Sequence, residues 1–141
     1  MEIALELIQE LTQDESMMWV VGGGPVVSEN HAKGIQQPQN HNGNLTVEAD
    51  NWHFHIKTSD VAGIQFVETK THGERLSYYV RFSGHNEETL LRSYFPNPFL
   101  DENYKPTPLQ EDRLKVFTDM RDRYVGRDGI VFVHYIPPSR S

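Results

Sequence analysis

Polar and apolar residues alternate most strictly over residues 51–57. Trp52, Phe54 and Ile56 would lie on one face of an extended strand, and His53 and His55 on the other. Residues 75–82 repeat this period of two, and shorter apolar or alternating runs occur along the rest of the chain. The runs predict further strands over 17–21, 26–28, 45–48, 61–69, 89–95 and 129–136. Several strands joined by short turns indicate an antiparallel meander.

Two stretches have helical spacing instead. Residues 2–13 carry an apolar stripe, and acidic residues lie elsewhere on the same turns. A second helix is expected to begin at Thr107, because Thr107, Pro108 and Gln110 match a capping box with proline at its first position. Gly126 suits the position after its C-terminus. The stripe predicted for this helix is Leu109, Leu114, Phe117, Met120 and Tyr124.

These elements predict an α+β fold, a single domain over 1–141, with a large antiparallel β-sheet meander, an N-terminal helix and a C-terminal helix. Residues 30–44 are polar, and we expect a surface loop with solvated His31 and His41. His72 and His85 fall in turns expected between strands, where solvation is again the simplest interpretation.

Composition narrows the possible partners. The chain has 141 residues, a net charge of −7 and a pI of about 5.4, so neither nucleic acid nor an anionic membrane surface is expected as a partner. It has no cysteine, which excludes disulfides, iron–sulfur clusters and thiolate ligands to zinc or haem. The acidic N-terminus lacks the pattern of a signal peptide, and no run of about 18 apolar residues occurs. A cytoplasmic location is therefore expected.

His53 and His55 are the first candidates for chemistry. Two imidazoles on one strand face, with Cα atoms about 7 Å apart, can bind a metal or line a pocket. A cupin-like metal enzyme would need a third ligand soon afterwards, and Thr58-Ser59-Asp60 supplies no glutamate. A partly exposed pair on the solvated face of a sheet is the alternative.

A haem site needs fewer protein ligands than such a metal site. It requires a neutral imidazole for iron, an aromatic slot and cations for the propionates. The candidates are His53, His55, Tyr79, Tyr94, Arg75, Arg81 and Arg92. Ordinary cross-strand pairing on a solvated face would explain Tyr79 and Arg81 equally well.

Five segments, 55–57, 61–67, 77–82, 90–95 and 109–117, follow one another in an order that extends over about residues 45–124. This order resembles the ChuX/HutX/HemS-type intracellular haem-utilisation (haem-carrier) proteins. This resemblance implies an α+β fold of the HemS/ChuX type, a homodimer, and haem binding for intracellular carriage or iron release, with haem breakdown in some relatives. The family's haem-binding histidine falls on His55. HemS-type carriers take their axial histidine from a more N-terminal region, where His31 is the nearest equivalent.

The sequence thus predicts a small haem-binding protein, with His55 as the first candidate to contact iron. His31 and His53 are secondary candidates, and Tyr79, Arg81 and Arg92 complete the predicted site. Two alternatives stay open. One is the cupin-like metal enzyme, and the other is a family member that has lost haem binding, because Trp52-His53-Phe54 replaces small residues and crowds the family's histidine.

Overall fold

The computed structural model describes residues 1–70 and 75–135. It contains two helices, one near each end of the sequence, and two β-sheets. The helices are α1 (Glu2–Leu11) and α2 (Glu111–Tyr124). The strands are β1 (Met18–Gly22), β2 (Val27–His31), β3 (Gln39–His41), β4 (Asn44–Glu48), β5 (His53–Lys57), β6 (Gly63–Lys70), β7 (Leu76–Ser83), β8 (Thr89–Tyr94) and β9 (Val131–Tyr135).

The larger sheet has six strands in the order β2-β1-β8-β7-β6-β9, and the smaller has three in the order β3-β4-β5. Neighbouring strands are antiparallel except β6 and β9, which run parallel. The predicted α+β fold with a large, mainly antiparallel sheet and a helix near each end is confirmed. The parallel pair arises because the chain passes through α2 before β9, and such a crossover is what a parallel strand requires.

The prediction of a loop over residues 30–44 is wrong at both ends of that range. β2 extends to His31, β3 occupies Gln39–His41, and β4 begins at Asn44. Most residues of these strands are exposed and polar. Because a solvated strand and a loop can have the same polar composition, composition alone predicted a loop here. The expected turn around His72 lies outside the described residues.

The start predicted for α2 is also wrong. The helix begins at Glu111, and Gln110 is its N-cap residue without a side-chain capping bond. The Gln110 side chain instead donates to the Leu100 carbonyl at 2.7 Å and to Thr107 Oγ1 at 3.0 Å. The expected contact between Thr107 and Gln110 thus forms, but it orders the preceding loop. Gly126, with φ of 96°, follows the C-cap as predicted.

The core lies on one face of the six-stranded sheet. Phe117 of α2 packs against Phe66, Tyr78 and Phe95, with ring centroids 5.0–6.0 Å away. Trp19 lies on the same face and contacts Phe54 of the small sheet at 5.9 Å. Both α2 and the small sheet therefore cover this inner face. No described helix is long and apolar enough to cross a membrane.

Glu10 connects the two helices, and we expect it to contribute more to stability than Glu6, the other acidic residue of α1 with such a contact. The Glu10 carboxylate accepts from the Tyr124 hydroxyl at 2.5 Å and pairs with Arg123. Because Tyr124 is only 3% exposed, Glu10→Ala leaves a buried hydroxyl without this acceptor, and we expect about 1–3 kcal/mol lower stability. Glu6→Ala removes only the half-exposed pair with Arg127 and should cost about 0–1 kcal/mol. Urea unfolding measures both, and equal losses would contradict this ranking.

Candidate functional site

The structure places the candidate residues on two separate surfaces. Tyr79, Arg81, Arg92 and His31 lie on the face of the six-stranded sheet opposite α2. His53 and His55 lie on the outer face of the small sheet, because Phe54 and Ile56 between and beside them point into the core. One protomer therefore does not bring all the predicted residues together.

The strand register arranges the first group in two neighbouring rows. His31, Met18, Tyr94 and Tyr79 are successive cross-strand partners in one row. The second row lies two residues away along the strands and consists of Glu29, Val20, Arg92 and Arg81. Directly opposed residues share a face of a sheet, so both rows face the same way. We name the surface formed by Tyr79, Arg81, Arg92 and Tyr94 the tyrosine–arginine face.

Tyr79 and Tyr94 form an aromatic platform on this face. Their ring centroids are 4.7 Å apart and the planes are tilted by 38°. Burial raises the pKa of both phenols above the ordinary value. For Tyr94 this rise is opposed by Arg92, whose Nη1 donates to the phenolic oxygen at 3.1 Å. Both phenols are therefore neutral near pH 7, and Tyr94 has a cation at its oxygen.

Arg81 and Arg92 are directly opposed residues of β7 and β8. Arg81 donates to Gln65 Oε1 at 2.8 Å, to Thr89 Oγ1 at 2.7 Å and to the Glu87 carbonyl at 2.5 Å. Arg92 donates to Tyr94, and its buried Nε has no hydrogen-bond partner.

Within residues 1–70 and 75–135, neither Arg81 nor Arg92 forms an ion pair with a carboxylate. Like charges directly opposed across two strands are unfavourable. A carboxylate bound beside them would offset this repulsion through charge-assisted hydrogen bonds. The face is thus suited to a flat aromatic ligand that carries a carboxylate.

A groove of about 510 Å³ adjoins the same surface. His31 and Tyr94 line it together with apolar residues, and an acidic rim lies beside them. The apolar residues are Met17, Met18, Phe95, Pro96 and Leu100, and the rim contains Glu15, Asp101 and Glu102. Sequence patterns did not reveal this groove, because it forms between the end of the sheet and the loop after β8.

The second surface has a different chemistry. The rings of His53 and His55 are 5.4 Å apart, and His55 Nδ1 lies 2.8 Å from Thr46 Oγ1. Glu48 is the cross-strand partner of His53. No group of three or more histidine, cysteine or acidic residues in the described part of the chain could hold a metal ion. The pair also lies on a three-stranded sheet, which is not the barrel that the cupin-like alternative required.

A family model matches residues 5–123 of the chain. The chain belongs to the ChuX-like family. The predicted family is thereby confirmed. No curated protein matches the sequence.

Solved structures share the ChuX-like fold at low sequence identity. Protein AGR_C_4470 from Agrobacterium tumefaciens is 22% identical with a TM-score of 0.67, and the match covers 87% of this chain and 68% of that one. A crystal structure of ChuX is 10% identical with a TM-score of 0.64, covering 86% and 72%. A second ChuX structure, described as a heme-binding protein, is 11% identical with a TM-score of 0.63, covering 84% and 70%.

Proposed function

We propose that this protein binds haem on the tyrosine–arginine face and carries it within the cell. One observation above all supports the proposal: Arg81 and Arg92 are cross-strand partners beside two packed tyrosines, and neither forms an ion pair with a carboxylate of the described residues. Guanidinium groups bind carboxylates such as haem propionates through charge-assisted hydrogen bonds. Aromatic rings bind a flat macrocycle by stacking. Membership of the ChuX-like family, in which one relative is described as a heme-binding protein, agrees with this proposal.

Charge also orients the ligand in this proposal. Arg81 and Arg92 would hold the propionates, while Asp101 and Glu102 beside the groove would repel them. Arg113 also lines the groove, but its guanidinium donates to the Leu100 carbonyl. The apolar part of the ligand then lies toward the groove, where His31 and Tyr94 are available. Histidine and tyrosine both bind haem iron in proteins. Bound haem would supply the iron, and this chain would supply the ligand atom and the propionate contacts.

His55 and His53 take a different place in this proposal. Since they lie on the outer face of the small sheet, they reach haem only at a separate site or across a subunit interface. We propose that the protein is a homodimer in which a second copy covers the open face of the six-stranded sheet. That face also exposes Val131 and Tyr135, which a partner subunit would shield from water.

A haemin titration followed at the Soret band tests the function and the iron ligand. We expect saturable binding by the unaltered protein and at least about tenfold weaker binding in His31→Ala or Tyr94→Phe, whichever removes the ligand. His41→Ala is the matched control, because this histidine is exposed on β3 of the small sheet and does not line the groove.

Each outcome of the titration has a clear meaning. Absence of any saturable Soret shift in the unaltered protein would refute haem binding and favour a family member that has lost it. Loss of binding in His55→Ala alone would identify His55 as the iron ligand and place the haem site on the small sheet. An unchanged affinity in all three variants would leave none of these residues as the ligand.

A further inference from the structure

The outer face of the small sheet carries two imidazoles that the proposed haem site does not use. His53 and His55 are both exposed, and their rings meet edge-on at 5.4 Å between centroids. Among the described strands, β5 is an edge strand that pairs with β4 alone. In the described part of the chain no other strand covers the outer side of β5, and both rings are accessible from solvent.

A hydrogen bond prepares one of these rings for a metal. Thr46 Oγ1 lies 2.8 Å from His55 Nδ1, and in the tautomer in which Nδ1 donates this hydrogen bond the lone pair of Nε2 is available to a metal. Histidines that bind metals usually have their second ring nitrogen engaged in this way, because the bond fixes the tautomer and the ring orientation. Glu48, opposite His53, adds a negative charge at the His53 end of the pair, and Lys57 adds a positive charge beyond His55.

We propose that His53 and His55 chelate a single divalent cation of the later first-row series, namely Cu²⁺, Ni²⁺ or Zn²⁺. Neutral imidazole suits these ions, and a spacing of two residues along a strand places both rings on one side of the sheet. Because no third histidine or acidic residue completes an enclosing cluster in the described ranges, water fills the remaining positions. The site is therefore open and exchangeable, unlike a structural zinc site with four protein ligands.

Calorimetric titration of the untagged, haem-free protein with Ni²⁺ tests the proposal. We expect one ion per chain, and roughly tenfold or greater loss of affinity in His53→Ala and in His55→Ala, since each leaves a single imidazole without the advantage of chelation. His41→Ala is the matched control, because His41 is also exposed on this small sheet but is not adjacent to the pair. Its affinity should be unchanged.

Electron paramagnetic resonance of the Cu²⁺ form gives a second readout. Coupling to two nitrogen nuclei is expected in the unaltered protein, and coupling to one in His53→Gln. A Ni²⁺ affinity that stays at the value of the unaltered protein in both the His53 and the His55 variant, or an equal loss in His41→Ala, would overturn the proposal. The titration contains no haem, so failure of the haemin experiment would leave its result intact.

Discussion

Replacing Arg92 by methionine should weaken haem binding at least about tenfold without destabilising the haem-free protein. The loss of affinity follows because a hydrogen bond to a charged group contributes about 1.5–3 kcal/mol, and 1.4 kcal/mol corresponds to tenfold. The haem-free protein loses little, since among the described residues Arg92 makes a single hydrogen bond, to Tyr94, and its buried Nε has no partner. Removing a cation opposite Arg81 also relieves repulsion.

Arg81→Met is the matched comparison on the neighbouring strand. Arg81 holds Gln65, Thr89 and the Glu87 carbonyl together, so its removal should cost about 1–2 kcal/mol of stability as well as haem affinity. Soret titration and urea unfolding measure the two quantities independently. If Arg92→Met proved destabilised by more than about 1 kcal/mol with unchanged haem affinity, Arg92 would be a structural residue, and the proposed role of the tyrosine–arginine face would fail.

The contrast between these arginines shows what sequence patterns can predict. Alternation along β7 placed Tyr79 and Arg81 on one face, and alternation along β5 placed His53 and His55 on one face; the structure confirms both. A period of two reports which residues share a face, because successive side chains point to opposite sides. It does not report which sheet a strand joins or what lies opposite each residue.

The sheet that each strand joins and the residue opposite each position determined which side chains come together in the candidate site. Arg81 meets Arg92 only because β7 pairs with β8 in one particular register. His55 is separated from both because β5 belongs to a different sheet, which packs on the six-stranded sheet through the contact of Phe54 with Trp19. His31 became a groove residue because an exposed polar segment extended β2. Tertiary packing therefore set the distances between groups whose faces were predictable.

Phe117→Ala should cause the largest loss of stability, about 3–5 kcal/mol. The ring is 1% exposed and packs against aromatic residues of three strands of the inner face, among them Phe66 and Tyr78. Truncation removes these contacts and leaves a cavity beneath α2. Domains of this size are commonly stable by about 5–15 kcal/mol, so a loss of this size would unfold part of the population under mild conditions.

Val116→Ala is the matched control, one residue earlier on the same helix. Its side chain is 38% exposed, and alanine favours a helix more than valine does, so its stability should change by less than about 1 kcal/mol. Urea unfolding of both variants tests whether α2 is held by its inward face. Similar losses in the two variants would mean that helix formation, and not the contact of Phe117 with the sheet, limits stability. A large loss in Phe117→Ala alone would establish that the core beneath α2 supports β7, the strand that also carries Tyr79 and Arg81 on its other face.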